Sequence, residues 1–355
     1  MSSCSDLGVA GTGPGRAARA ARQARAGLAA LLVLVCGAAA AQADAPLGQP
    51  LQATAAASAA ADAAFSVQEF DWHDARRDRA VPVRLYWPAL ASVQRPVPLI
   101  VFSHGIGGSR RGYTYLGQFW ASRGYASLHL QHVGSDRAVW TGNVFSTVGR
   151  LQAAAQESEA LARVHDLRFA LDQILEGPLA LQIDRRRLVA AGHSYGANTT
   201  LLAVGAQIER NGQAVNLRDP RLKAAIVISA PPFYGEASAG QVLGGIGVPS
   251  LHITATEDII RIPGYFSPAS DRLAVYEATG GAALKALAVF EGGSHNIFSD
   301  RGYSGGAGLN AQVKAATQAL SMAFLGQVFE GDEAGLSQWA RRFGGLLSRT
   351  SIVTR

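Results

Sequence analysis

Cysteine is nearly absent from this chain: 355 residues hold two, Cys4 and Cys36, both near the N-terminus. That excludes a disulfide framework or a thiolate metal cluster in the body of the protein, and no H-E-x-x-H pattern supplies a histidine-based alternative. No metal and no cofactor is expected. Lysine is almost as scarce: Lys223, Lys285 and Lys314 stand against 29 arginines, and the longest basic run is only Arg185-Arg186-Arg187. A formal charge of +6 spread this way is not a nucleic-acid patch, which takes a basic tract of roughly five to eight residues. Charged residues make up 16% and apolar residues 48%, so the chain can build a full core and is not disordered at large. Internal repeats are lacking, and long hydrophobic runs are too. The longest, Leu28 to Ala41, has 14 residues, short for a helix that must cross about 30 Å of hydrocarbon.

What stands around that run explains it. Arg16, Arg19, Arg22 and Arg25 precede it, and it ends in Ala41-Gln42-Ala43. A basic flank, a short apolar stretch and an A-x-A site describe a secretory signal peptide over residues 1–43. Export to the periplasm or the medium is therefore expected. A lipid anchor at Cys36 is the second choice, because Val35 before it is bulkier than such sites favour. Cleavage after Ala43 leaves 312 residues, removes both cysteines and takes the charge to +3. Residues 44–64, rich in Ala with Gln and Pro, carry no sustained apolar face and read as a tether. The remaining 65–355 form one catalytic domain with no stable transmembrane segment; the oligomeric state is open.

Within it, strand-like and helix-like segments alternate. Val81 to Trp87 alternates apolar and polar residues and reads as an edge strand that tolerates Pro82. Apolar runs at Val97–Phe102, Tyr125–Leu130, Leu188–Ala191, Ala225–Ile228, Pro249–Thr254 and Leu287–Phe290 suit strands buried on both faces of a parallel sheet. Helical spacing marks Glu159–Leu175, Ala197–Ile208 and Val313–Val328. The alternation predicts an α/β fold, a mostly parallel sheet with helices on both faces.

Gly192-His193-Ser194-Tyr195-Gly196 fits G-x-S-x-G between a predicted strand and a predicted helix. The serine of such a turn is strained and lifted to the N-terminus of a helix, and its neighbours at −2 and +2 must lack bulk. Without that context the same five residues are an ordinary Gly-rich turn. A serine needs a base. Of eight histidines, His295 stands in the loop Glu291-Gly292-Gly293-Ser294-His295-Asn296 after the last predicted strand, where a Ser…acid…His order puts the base. His193 is expected to point away across the turn. The acid belongs between them at a strand end: Asp258 is chosen, with Glu257 beside it as the alternative. The Gly-rich turn Ser103-His104-Gly105-Ile106-Gly107-Gly108 would offer one backbone N–H to an oxyanion, with the Tyr195 N–H as second donor. Tyr113, Tyr115 and Trp140 are candidates for an apolar substrate pocket, while Asp136 and Asp166 read as structural.

These residues resemble the α/β-hydrolase superfamily. The detail is similar to dienelactone-hydrolase-like proteins and platelet-activating-factor acetylhydrolases, near bacterial polyester hydrolases and cutinase-like esterases. Beyond the motifs quoted, Val81 to Pro88, His132-Val133-Gly134-Ser135-Asp136 and Asp166 to Gln173 carry the likeness. The resemblance implies an α/β-hydrolase fold, Ser194, Asp258 and His295 as triad, and Ile106 and Tyr195 as oxyanion donors. Two departures matter: dienelactone hydrolases proper use a cysteine nucleophile, and in acetylhydrolases the acid can follow the preceding strand, where this chain has Ser229-Ala230. The expected activity is hydrolysis of carboxylic esters through an acyl-enzyme, on a small-molecule or lipid ester. The alternatives are a phospholipid or acetyl-ester hydrolase of platelet-activating-factor acetylhydrolase type, a peptidase, or a non-catalytic binding protein on the same fold.

Overall fold

The computed structural model describes residues 64–210, 213–233, 238–262, 265–280, 284–300 and 306–354. The expected signal peptide, and all of the expected tether except Ala64, lie outside the described residues. Among the described residues thirteen strands run in chain order: β1 (Phe65–Asp74), β2 (Arg79–Pro88), β3 (Val97–Ser103), β4 (Ala126–Leu130), β5 (Ile183–His193), β6 (Gln207–Arg210), β7 (Gln213–Asn216), β8 (Leu222–Ile228), β9 (Ser250–Glu257), β10 (Ile260–Ile262), β11 (Tyr265–Ser267), β12 (Leu284–Ser294) and β13 (Leu347–Thr354). The helices are α1 (Thr114–Ser122), α2 (Val144–Ala154), α3 (Glu157–Glu176), α4 (Tyr195–Val204), α5 (Ala239–Leu243), α6 (Ser270–Ala278), α7 (Ala307–Glu330) and α8 (Glu333–Phe343).

Nine strands form one sheet in the order β1-β2-β4-β3-β5-β8-β9-β12-β13, and β6–β7 and β10–β11 are separate hairpins. The six strands from β4 to β12 are parallel; β1, β2 and β13 are antiparallel to their neighbours. The central strands are buried on both sides because successive side chains feed opposite cores. Leu99 and Val101 of β3 join Leu188 and Ala190 of β5 against α3 and α4, while Ile100 and Phe102 join Val189 and Ala191 against α1 and α7. This is the α/β-hydrolase arrangement.

Two expectations change. The segment at Val81–Trp87 is an inner strand: β1, which pairs with it along its whole length, takes the edge. Pro82 falls at the very end of the β2–β4 pairing, which begins at Val83: its carbonyl still accepts from the Gln131 N–H at 2.8 Å, and only the return donation at that terminal pair is lost. The helix expected over Ala197–Ile208 stops at Val204, where Gly205 turns the chain at φ 124° and Ile208 enters β6.

The register brings the carboxyl ends of β3, β5 and β8 level, Ser103 opposite Gly192 and His193 opposite Ile228, while β9 and β12 run on together from Ile253, opposite Ile228, to Glu257 opposite Ser294. Open α/β sheets present their ligand crevice at this edge.

Candidate active site

Ser194 lies between β5 and α4 at φ 57°, ψ −124°, a conformation that costs a non-glycine residue of order 1–3 kcal/mol. Its N–H donates to the Ile228 carbonyl at 2.9 Å and its carbonyl accepts from Ala197 at 2.8 Å, so both neighbouring elements hold the turn. The flanking glycines are required by contact. A Cβ on Gly192 would stand 2.2 Å from the Gly196 carbonyl oxygen, and one on Gly196 would stand 1.9 Å from that of Ser103.

The structure brings the three predicted triad residues together. His295 Nε2 is 2.8 Å from Ser194 Oγ, and its Nδ1 is 2.6 Å from Asp258 Oδ1. Since a carboxylate only accepts, Nδ1 carries the proton and Nε2 is left to accept one from the serine hydroxyl. Asp258 is fully buried in the turn after β9, and Thr254 Oγ1 donates to its other oxygen at 2.7 Å. Burial would raise its carboxyl, but His295 and the buried Arg272, whose Nε is 3.6 Å away on α6, more than offset this and hold it well below the usual carboxylate range. The alternative acid, Glu257, is exposed at the end of β9. Ser229, where an acetylhydrolase-type acid would stand, faces the Asp258 carboxylate instead.

His193 does not point away. Its ring lies 4.8 Å from that of His295, its Nε2 donates to the His295 carbonyl at 3.0 Å, and its Nδ1 accepts from the Tyr113 hydroxyl at 2.8 Å. Burial, with His295 alongside, pushes it down to about 3, which keeps it neutral, and the His295 carbonyl, which can only accept, puts the proton on Nε2. It braces the backbone of His295. No spacing rule in the sequence marks such a role, which arises from contacts between distant elements.

The Gly-rich turn after β3 closes over Ser194: a Cβ on Gly105 would be 3.1 Å from Ser194 Cβ. Ile106 and Tyr195 both face the cavity beside Ser194. Beneath the turn, His104 Nδ1 donates to the Gly105 carbonyl at 2.7 Å and its Nε2 accepts from the His132 N–H at 3.1 Å. His132 Nδ1 in turn donates to Asp166 at 3.1 Å and its Nε2 accepts from the Ser103 hydroxyl at 3.0 Å. Asp166 is buried in ion pairs with Arg77 and Arg79, and Asp136 accepts from the Ala138 N–H, so both are structural in form.

A cavity of about 940 Å³ opens at Ser194, walled by Gly105–Gly108, Trp140, Val148 and Leu151 of α2, Leu202, Phe233 and Tyr265. Trp140 stacks on the turn and donates from Nε1 to the Gly107 carbonyl at 3.1 Å. Tyr113 lines the cavity, but Tyr115 does not: its hydroxyl donates to the Phe298 carbonyl and its ring packs with the α1–α7 core under Lys314. A residue at the start of a helix two positions on from a lining residue faces elsewhere, and the cavity reading of Tyr115 is corrected accordingly. Among the described residues no cluster of three or more His, Cys, Asp or Glu side chains is placed to hold a metal ion, and no helix is long and apolar enough to cross a membrane.

Comparison with known proteins agrees with this architecture. Residues 79–162 match the family model of platelet-activating factor acetylhydrolase, isoform II. A ferulic acid esterase from Streptomyces cinnamoneus has a similar structure, with a TM-score of 0.56 and 22% identity over 76% of this chain and 91% of that one. No curated protein sequence matches the chain.

Proposed function

We propose that this chain is a carboxylic-ester hydrolase that works as a serine esterase through an acyl-enzyme on Ser194. The observation that carries the reading is the continuous path Ser194 Oγ–His295 Nε2–His295 Nδ1–Asp258 Oδ1, with links of 2.8 and 2.6 Å. Ser194 Oγ attacks the ester carbonyl as its proton passes to His295 Nε2, and buried Asp258 stabilises the imidazolium. The Ile106 and Tyr195 N–H groups hold the oxyanion at the N-terminus of α4, whose dipole favours negative charge. His295 returns the proton to the departing alkoxide, and a water activated by the same imidazole then hydrolyses the acyl-enzyme.

The apolar walls of the cavity suit an ester with an apolar acyl or aryl part. The family match over residues 79–162 favours a second reading, an acetyl-ester or phospholipid substrate, and the structural neighbour is named for ferulic acid. A chain-length series of p-nitrophenyl esters, beside a phospholipid, a feruloyl ester and a polyester film, separates these substrates. Ser194→Ala abolishes turnover of a p-nitrophenyl acyl ester; activity near wild type would remove Ser194 from the mechanism. A non-catalytic binding protein would fail to label with a fluorophosphonate.

Export belongs to the same proposal: the basic flank, apolar run and Ala41-Gln42-Ala43 site support a mature chain that starts at Asp44, with 44–64 as tether and 65–355 as the catalytic domain. N-terminal sequencing of the processed protein checks it; an intact Met1 would contradict it.

A further inference from the structure

Arg163 is one of the largest fully buried side chains in the protein and does not line the cavity. It projects from α3, and its guanidinium meets acceptors on three separate segments. Nη2 donates to the His104 carbonyl, Nη1 to Ser135 Oγ at 2.8 Å, and Nε to Thr199 Oγ1 at 2.9 Å. Its face lies 4.7 Å over the Tyr195 ring.

The positions of those acceptors matter. His104 lies two residues before Ile106, on the turn whose Gly105 presses against Ser194. Ser135 accepts the Gly107 N–H through its carbonyl at 2.9 Å, so its segment buttresses the far side of the same turn. Thr199 and Tyr195 belong to α4, which begins with the second donor. The Ser103 and His104 carbonyls also crowd Gly196, leaving no room for the two segments to slide independently.

We infer that Arg163 is the positioning residue of the oxyanion hole, its planar fork fixing the turn that carries the Ile106 N–H relative to the helix start that carries the Tyr195 N–H. The inference rests on the serine-esterase reading above. Charge compensation alone does not account for the geometry. The three donations go to uncharged oxygens, a carbonyl and two hydroxyls, and the Glu159 carboxylate is reached only through the Ser135 hydroxyl, which donates to it at 2.7 Å. A rigid fork of divergent donors can hold three oxygens at set angles; an ammonium on a flexible stem cannot. A hydrolase with its triad intact but its two donors out of register keeps substrate binding and loses transition-state stabilisation.

The test compares wild type with Arg163→Lys, Arg163→Met and the near-isosteric Thr199→Val, each first checked for folding by thermal melting. Kinetics are read on p-nitrophenyl butyrate, and inhibition on a trifluoromethyl ketone, which forms an oxyanion on the serine, against its methyl ketone counterpart. Since one oxyanion donor is worth about 10²–10³ in rate, kcat falls at least about tenfold in folded Arg163→Lys, with KM within about threefold. Thr199→Val shows the same split to a smaller degree, and only the trifluoromethyl ketone loses affinity in parallel. A folded Arg163→Lys or Thr199→Val with kcat within twofold of wild type, or a loss carried by KM alone, overturns the inference. If Arg163→Met does not fold, the other two variants decide. Failure of the underlying reading looks different: hydrolysis would survive Ser194→Ala whatever the Arg163 variants do.

Discussion

At the scale of single residues, the site combines one strained serine with side chains whose protonation is fixed by what surrounds them. Ser194, Asp258 and His295 were legible because the motif and the chain order constrain them: glycines at 192 and 196 are the only residues that fit, and one strand end offered carboxylates. His193, Arg163 and Arg272 were not legible. Their roles come from contacts across long stretches of sequence, such as His193 to the His295 carbonyl, and adjacency in sequence suggested the opposite orientation for His193. Tyr115 was misplaced for a related reason, since a loop position before the nucleophile does not say which way a side chain turns. The choice between the two neighbouring acids is testable. Asp258→Asn presents an amide to His295 Nδ1 and favours the wrong tautomer, so kcat falls by about 10⁴. Glu257→Gln, on the exposed end of β9, leaves kcat within twofold; the reverse pattern in steady-state kinetics would transfer the role to Glu257.

At the scale of elements, the buried parallel strands were readable as apolar runs, and the two outermost strands were not. β1 (Phe65–Asp74) mixes apolar and charged residues on a half-exposed surface, and β13 is exposed along most of its length. Neither shows the pattern that burial imposes. Yet β13 covers β12 from Leu284 to Phe290, a stretch that would otherwise be the sheet's edge. An uncovered apolar strand invites pairing with another chain. Deleting residues 347–355 therefore promotes association, seen as a shift to larger species in size-exclusion chromatography; an unchanged elution volume and melting temperature would show that β12 needs no cover. α2 was also unforeseen, although its Val148 and Leu151 form one wall of the cavity.

At the scale of the whole molecule, the fold buries an unusual set of neutral histidines. Burial pushes His129, His132, His193 and His252 down to about 3, and His104 well below its ordinary range, where Arg163 adds to the effect. An unfolded histidine titrates near 6.5. Below that pH the unfolded chain binds more protons than the native one, so stability is complete above about pH 6.5 and drains as the pH falls toward 3. Each such histidine contributes a slope of about 1.4 kcal/mol per pH unit in that window. Asp258, held low in the fold, adds its own loss only below about pH 4, where an unfolded carboxyl begins to protonate. Melting temperatures measured from pH 8 to pH 4.5 stay level at first and then fall steeply; a flat profile through pH 5 would mean the histidines are not buried neutral. The same fold places every proposed catalytic group at one end of the sheet, because each lies at or just after the carboxyl end of a parallel strand, β3, β5, β9 or β12.

The claim on which the rest depends is that an acyl group is transferred to Ser194. The direct measurement is mass spectrometry of the protein quenched during turnover of a slow p-nitrophenyl ester or after reaction with a fluorophosphonate. One adduct per chain is expected, on the peptide that contains Ser194, absent from Ser194→Ala and formed more slowly in Arg163→Lys. An adduct on another residue, or continued hydrolysis with Ser194 unmodified, would contradict it.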